Sequence, residues 1–154
     1  MDVWRLCRSK YETTAFSGYG AERTGGRWNY KGHPMVYASE NLSLGALELF
    51  VHVAPGNIPA DLISIRGKLP DLISTSEIVE IQLPKNWREY PAPVELQSIG
   101  TDWLRGRTSL VLIVPSAINS LEKNLLLNPQ HPQFKRLKVE MGQPFRFDPR
   151  MFRK

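Results

Sequence analysis

One cysteine, Cys7, occurs in the 154 residues of the chain, so an intrachain disulfide is excluded and a reducing compartment such as the cytoplasm is the expected setting. No apolar run approaches the ~20 residues that a membrane-spanning helix needs. The opening Met1-Asp2-Val3-Trp4-Arg5 lacks the basic-then-apolar start of a secretory leader, so a cytoplasmic protein with no membrane partner is expected. Histidine is scarce too. Cys7, His33, His52 and His131 show no short paired spacing of the kind zinc sites use, and no metal is expected. The chain also lacks a Gly-x-Ser-x-Gly elbow, a Gly-Lys-Ser/Thr phosphate loop and a Gly-x-Gly-x-x-Gly turn opening a helix, so ATP hydrolysis and hydride transfer have none of their usual parts.

What is present suits one soluble globular domain over residues 1–154, since hydrophobic content of 42% is enough for a sizeable core. Twenty Lys and Arg against 15 Asp and Glu leave a formal charge of +5, which favours anionic partners without naming one. Nucleotide, nucleic acid and an acidic protein all remain open on charge alone.

Residues 3–6 read as an opening strand, and 9–31, rich in Gly, Ser, Thr and Tyr, as a long loop of the kind that carries binding functions. Residues 35–38 read as a strand. Ser39 or Asn41 then caps a helix running to about His52, apolar on nearly every side and therefore expected to be buried, with Glu48 the one acid inside it. Strands are expected at 62–65, 78–83 and 137–141, a helix at 94–104, and a central two-sided strand at 109–114. No repeat, heptad or linker divides the chain. The fold class that follows is α+β, a single domain of short, mostly antiparallel strands with few helices.

A carboxylate on an apolar helix must reach an edge, find a partner or sit in a pocket, and His52, one turn on from Glu48, is a partner within reach. Arg27 follows Gly25 and Gly26, which let backbone approach a ligand closely, and its planar fork suits a pyrophosphate or a carboxylate. The neighbouring Trp28 reads as an exposed-type aromatic. Tyr37, at a strand end, is positioned to cover a flat ligand. Ser116, after Pro115, either caps the next segment or bonds a phosphate. Lys135, Arg136, Lys138, Arg146, Arg150, Arg153 and Lys154 form a basic tail, with Phe134, Phe145, Phe147 and Phe152 read as inward faces of strands; an ordinary solvated surface is favoured there over nucleic-acid binding.

Taken together, Arg5, Gly25-Gly26-Arg27-Trp28-Asn29, Tyr37-Ala38-Ser39, Glu48, Val114-Pro115-Ser116 and the segment 124–134 resemble the RES domain, in the family's order and across nearly the whole chain. The resemblance implies a fold similar to that of ADP-ribosyltransferase toxins, and the role of toxin in a bacterial toxin–antitoxin pair with an Xre-family antitoxin that covers the active site. It implies NAD as substrate, with no separate cofactor. Arg27, Glu48 and Ser116 match the arginine, glutamate and serine that name the family, while Arg5 and Tyr37 match a basic and an aromatic element. The implied reaction is cleavage of the nicotinamide–ribose bond with catalytic Glu48, Arg27 and Tyr37, NAD being held by Arg5, Arg27, Tyr37, Glu48 and Ser116. Water, phosphate or a protein side chain remains open as acceptor, the last making the chain a protein ADP-ribosyltransferase. A nucleic-acid-directed toxin, or a module that only binds its antitoxin, is the alternative of another class, and a homodimer is left open.

Overall fold

The computed structural model describes residues 1–54 and 56–152. Arg153 and Lys154 of the basic tail lie outside the described residues. Eight strands form one sheet: β1 (Asp2–Arg8), β2 (Val36–Ser39), β3 (Leu62–Lys68), β4 (Thr75–Glu77), β5 (Val111–Pro115), β6 (Lys123–Leu127), β7 (Lys138–Val139) and β8 (Gln143–Pro144). Their order is β4-β5-β6-β2-β1-β3-β7, with β8 also on β3, and every pairing is antiparallel except β4 with β5. Three α-helices accompany them: α1 (Tyr19–Thr24), α2 (Leu42–Phe50) and α3 (Val94–Gly106). The expected α+β domain with a mostly antiparallel sheet is what forms.

Period-two alternation decides what each sheet face meets. Val111, Leu125 and Leu127 pack with Val3, Phe16, Val36 and Ile65 in one core cluster. Leu112, Val114 and Leu126 point the other way, onto Trp28, Met35, Trp87, Leu96 and Leu104. Both faces are therefore covered, which accounts for the unbroken apolar run in β5.

Several expectations need correction. Residues 9–31 are not all loop, because Ser9–Thr14 makes a 3-10 helix and α1 follows, entered and left through Gly18 and Gly25 at φ 77° and 72°. Those left-handed angles favour glycine. Residues 78–83 do not form a strand: Ile78 donates to the Ile113 carbonyl, the Gln82 side chain then accepts from the Val79 amide, and Glu80–Gln82 closes into a 3-10 helix with Ile81 93% exposed. The strand instead lies just before, at β4. β6, set among Asn and Leu without alternation, was not expected as a strand at all, and it takes the place between β5 and β2. α2 is not buried all round either, since Leu44 is its one buried residue and Leu47 and Val51 face outward. Phe147 and Phe152 pack on Phe50 of α2, and Phe145 packs on Phe147, as a surface-edge aromatic cluster rather than as inward faces of strands.

Candidate functional site

The elements that carry the expected site residues converge on one cleft. α2 begins where the Asn41 side chain accepts the Leu44 amide at 2.8 Å, an N-cap that fixes the helix start and so the direction of Glu48 one and a half turns on. Gly45 lets α2 settle on β1 and β2, with Leu6 and Ser39 directly beneath it. The result is a cleft of about 1150 Å³ whose lining includes Arg5, Arg27, Tyr37, Glu48, Gln97 and Asn124. A smaller recess of about 210 Å³ beside it shares Arg5, Tyr37, Glu48, His52 and Asn124.

Glu48 is half-buried, not fully enclosed. It makes no hydrogen bond with His52, the partner expected from spacing. Its Oε1 accepts instead from the Ser116 hydroxyl at 2.7 Å and from the Asn124 amide. Both donors are distant in sequence but near in the sheet, Asn124 on β6 beside β2 and Ser116 just after β5, the next strand.

Ser116 itself is fully buried and does not line the cleft. Its oxygen accepts from the Ile118 and Asn119 amides at 3.1 and 3.2 Å, which occupies its lone pairs and leaves the proton directed at Glu48. The hydroxyl thus has its donor and both acceptor positions taken within the protein, and the tie it offers to the cleft runs through the Glu48 carboxylate.

Arg27 reaches the cleft while donating to the carbonyls of Trp87 at 2.7 Å and Glu89 at 3.2 Å. Partial burial lowers its pKa, opposed by the pull of the Glu48 carboxylate and of Tyr37 and Tyr90. It both pins the segment 87–89 and keeps donors toward the cleft. Arg5 donates from Nη1 to the Tyr37 carbonyl, reinforcing a β1–β2 ladder whose register is the Trp4–Ser39 pair. Its Nε is buried and unpartnered, and desolvation lowers the guanidinium's pKa against a smaller upward pull from Cys7. A guanidinium remains charged, so the cleft lining, which also includes Arg88, holds three cations and one carboxylate.

Tyr37 presents its ring to the cleft, but its hydroxyl is spent: it donates to Asn29 Oδ1 at 2.7 Å and accepts the Trp28 amide at 2.9 Å. Burial pushes its phenol far up from the ordinary value, with the hydrogen bonds and Arg27 pulling back less. The Gly25-Gly26 pair thus serves packing more than ligand access, since a Cβ on Gly26 would meet the Tyr37 hydroxyl at 2.6 Å. Trp28, expected to be exposed, is 2% exposed in the core. α3 clamps this loop: Gln97 donates to the Gly26 and Asn29 carbonyls, Thr101 accepts the Tyr30 amide, and Gly100 leaves room for the Trp28 carbonyl.

Asn29, Gln97 and Asn124 escaped sequence reasoning. Asn29 and Asn124 lie inside stretches that carry the family resemblance, which gave neither a role of its own; Gln97 matters by long-range contacts that no local spacing reveals. The described residues of the basic tail, Lys135, Arg136, Lys138, Arg146 and Arg150, stand apart from the cleft lining, and the Lys68–Glu140 and Arg150–Asp148 pairs near them are those of a solvated surface. No helix among the described residues is long and apolar enough to cross a membrane.

Comparison with known proteins gives the same family as the motif. The model of the RES domain matches residues 2–149. The chain is 39% identical to the protein named Toxin Res of Yersinia enterocolitica, over 98% of this chain and 99% of that one. It is 37% identical to the Prs ADP-ribosylating toxin of Sphingobium sp., over 98% and 96%. A solved structure of the M. tuberculosis MbcT–MbcA toxin–antitoxin complex superimposes with a TM-score of 0.75 at 16% identity, covering 98% of this chain and 86% of that one, a likeness of fold. With the matching model spanning nearly every residue and relatives aligned end to end, the chain belongs to the RES family.

Proposed function

We propose that this chain is the toxin of a bacterial toxin–antitoxin pair and that it breaks the nicotinamide–ribose bond of NAD. The observation that carries the reading is the cleft itself, in which one half-buried carboxylate, Glu48, faces Arg5 and Arg27 across a space of dinucleotide size. When the bond breaks, nicotinamide departs with the bonding pair and becomes neutral, so it needs no general acid. The sugar carbon left behind gains cationic character. Glu48 stabilises that charge or holds a ribose hydroxyl, while the acceptor oxygen forms the new bond and releases its proton. Arg5 and Arg27 grip the pyrophosphate through charge-assisted hydrogen bonds, and Tyr37 positions the nicotinamide by ring contact. Ser116 contributes by orienting Glu48.

The names of the relatives as toxins, and the pairing of the structural neighbour with an antitoxin, support the biological role. We assign the partner to the Xre class on the family resemblance, seated over the cleft, and leave a homodimer as the second association to test. Hydrolysis or phosphorolysis is the favoured outcome. Transfer to a protein is the second reading, favoured by the name of the Sphingobium relative. Incubating the purified protein with NAD, with and without inorganic phosphate or a cell lysate, and measuring free nicotinamide and the fate of the ADP-ribose, tests all of these. Absence of nicotinamide release under every condition, alongside salt-steep RNA or DNA binding indifferent to Glu48, overturns the proposal in favour of a nucleic-acid-directed protein.

A further inference from the structure

Two donors meet on one oxygen of Glu48, and the second of them belongs to a residue outside the motif that names the family. Asn124 sits on β6 directly opposite Ser39 of β2 and opposite Val114 of β5, in the middle of the sheet and on the floor of the cleft. The Ser39 hydroxyl, almost fully buried, donates to Asn124 Oδ1 at 2.9 Å. That bond sets the amide's orientation: with Oδ1 turned to Ser39, the NH2 group must face Glu48, whereas the flipped amide would set oxygen against a carboxylate oxygen. Asn124 Nδ2 accordingly donates to Glu48 Oε1, the same atom that accepts from Ser116. Among the described residues, no side-chain or backbone donor is seen on Oε2.

We infer that Asn124 is a positioning residue for the reaction: together with Ser116 it saturates Oε1, locks the rotation of the carboxylate, and leaves Oε2 as the oxygen that meets the developing sugar cation. This inference rests on the proposed NAD chemistry for its kinetic consequence, but not for the contact itself. The arrangement divides the labour on one carboxylate. Oε1 is the anchored oxygen and Oε2 the working one. Since Asn124 acts through Glu48 and not on the bound dinucleotide's remote parts, its loss weakens the transition state and leaves ground-state binding nearly intact.

The test compares Asn124→Ala with Asn124→Asp for nicotinamide release from NAD. Aspartate keeps the size and still accepts from Ser39, so a merely structural role ranks Asp above Ala. It cannot donate to Glu48 and sets a second negative charge beside it, so a positioning role ranks Asp below Ala. The expected result is a fall in kcat of about tenfold for Ala and about a hundredfold or more for Asp, with KM for NAD changed by less than about threefold. The opposite ranking, or losses that appear in KM alone, overturns the inference.

Side-chain amide NMR supplies a readout independent of turnover. The Asn124 NH2 protons of the wild-type protein are expected to show one strongly downfield proton that moves upfield in Glu48→Gln. An Asn124 signal unmoved by that substitution overturns the contact, whether or not the protein consumes NAD. Should wild-type protein release no nicotinamide while the amide signal behaves as expected, the functional reading fails and the clamp stands. If either Asn124 variant does not fold, Ser39→Ala decides kinetically: it removes the bond that anchors Oδ1 and so loosens the amide's hold on the carboxylate, and unchanged kcat there rejects the positioning role.

Discussion

The Ser116 hydroxyl donates to Glu48 at 2.7 Å across 68 positions of sequence, so the family's serine and glutamate are joined in one hydrogen-bonded unit. Ser116→Ala should therefore act on the carboxylate. We expect kcat to fall about tenfold with little change in KM, and steady-state kinetics on NAD check the split. A loss confined to KM would return Ser116 to direct substrate binding.

Glu48→Gln retains size and an oxygen that still accepts from Ser116, but removes the charge. Nicotinamide release should drop by about a hundredfold or more, with Tm within roughly 4 °C of wild type. Near-normal turnover in a folded variant would remove Glu48 from the chemistry.

Arg27→Lys keeps a charge and loses the fork that spans the Trp87 and Glu89 carbonyls. KM for NAD is expected to rise about tenfold, and amide hydrogen exchange across residues 87–89 to quicken. Unaltered exchange would mean that the arginine does not anchor that segment.

Two glycines at the clamp differ in what an added methyl would strike. At Gly26 the obstacle is the Tyr37 hydroxyl, at 2.6 Å, while at Gly100 it is the Trp28 carbonyl oxygen, at 1.9 Å. Gly26→Ala should cost about 1–3 kcal/mol and Gly100→Ala more, because backbone yields less readily than a ring tip. Urea denaturation midpoints give the order, and equal costs would contradict the close approach of α3 to the loop.

Alkaline pH should loosen the fold through Tyr37. Its folded pKa is raised, chiefly by burial, so above about pH 10 the unfolded chain gives up a phenolic proton that the native state retains. The native state then binds more protons, and stability falls as pH rises. The contribution is fully present below about pH 10 and drains away above it. Denaturation midpoints measured on either side of that pH, for wild type and Tyr37→Phe, should diverge less in the variant.

How much of this was legible in sequence depended on how local the cause was. The α2 N-cap at Asn41, the apolar run of β5 and the Gly-Gly-Arg-Trp loop are set by near neighbours, and each was readable. Glu48 was also readable, as an acid out of place on an apolar helix. Its partners were not. His52 has the right spacing, yet the carboxylate turns across the sheet to Ser116 and Asn124, a choice made by strand order and not by helical period. Trp28 and Tyr37 likewise changed character once α3 closed over them, and β6 was hidden because leucines facing two cores show no alternation.

The sheet order has a consequence for biosynthesis. Arg5, Arg27, Tyr37 and Glu48 are all made before β3, but the strand that carries Asn124 inserts between β2 and β5 only after β5 has been made. A chain made only as far as β5 thus holds Arg5, Arg27, Arg88 and Glu48 without the floor that joins them. The two hydrogen bonds that hold Glu48 therefore form only once β5 and β6 have both been synthesised and paired.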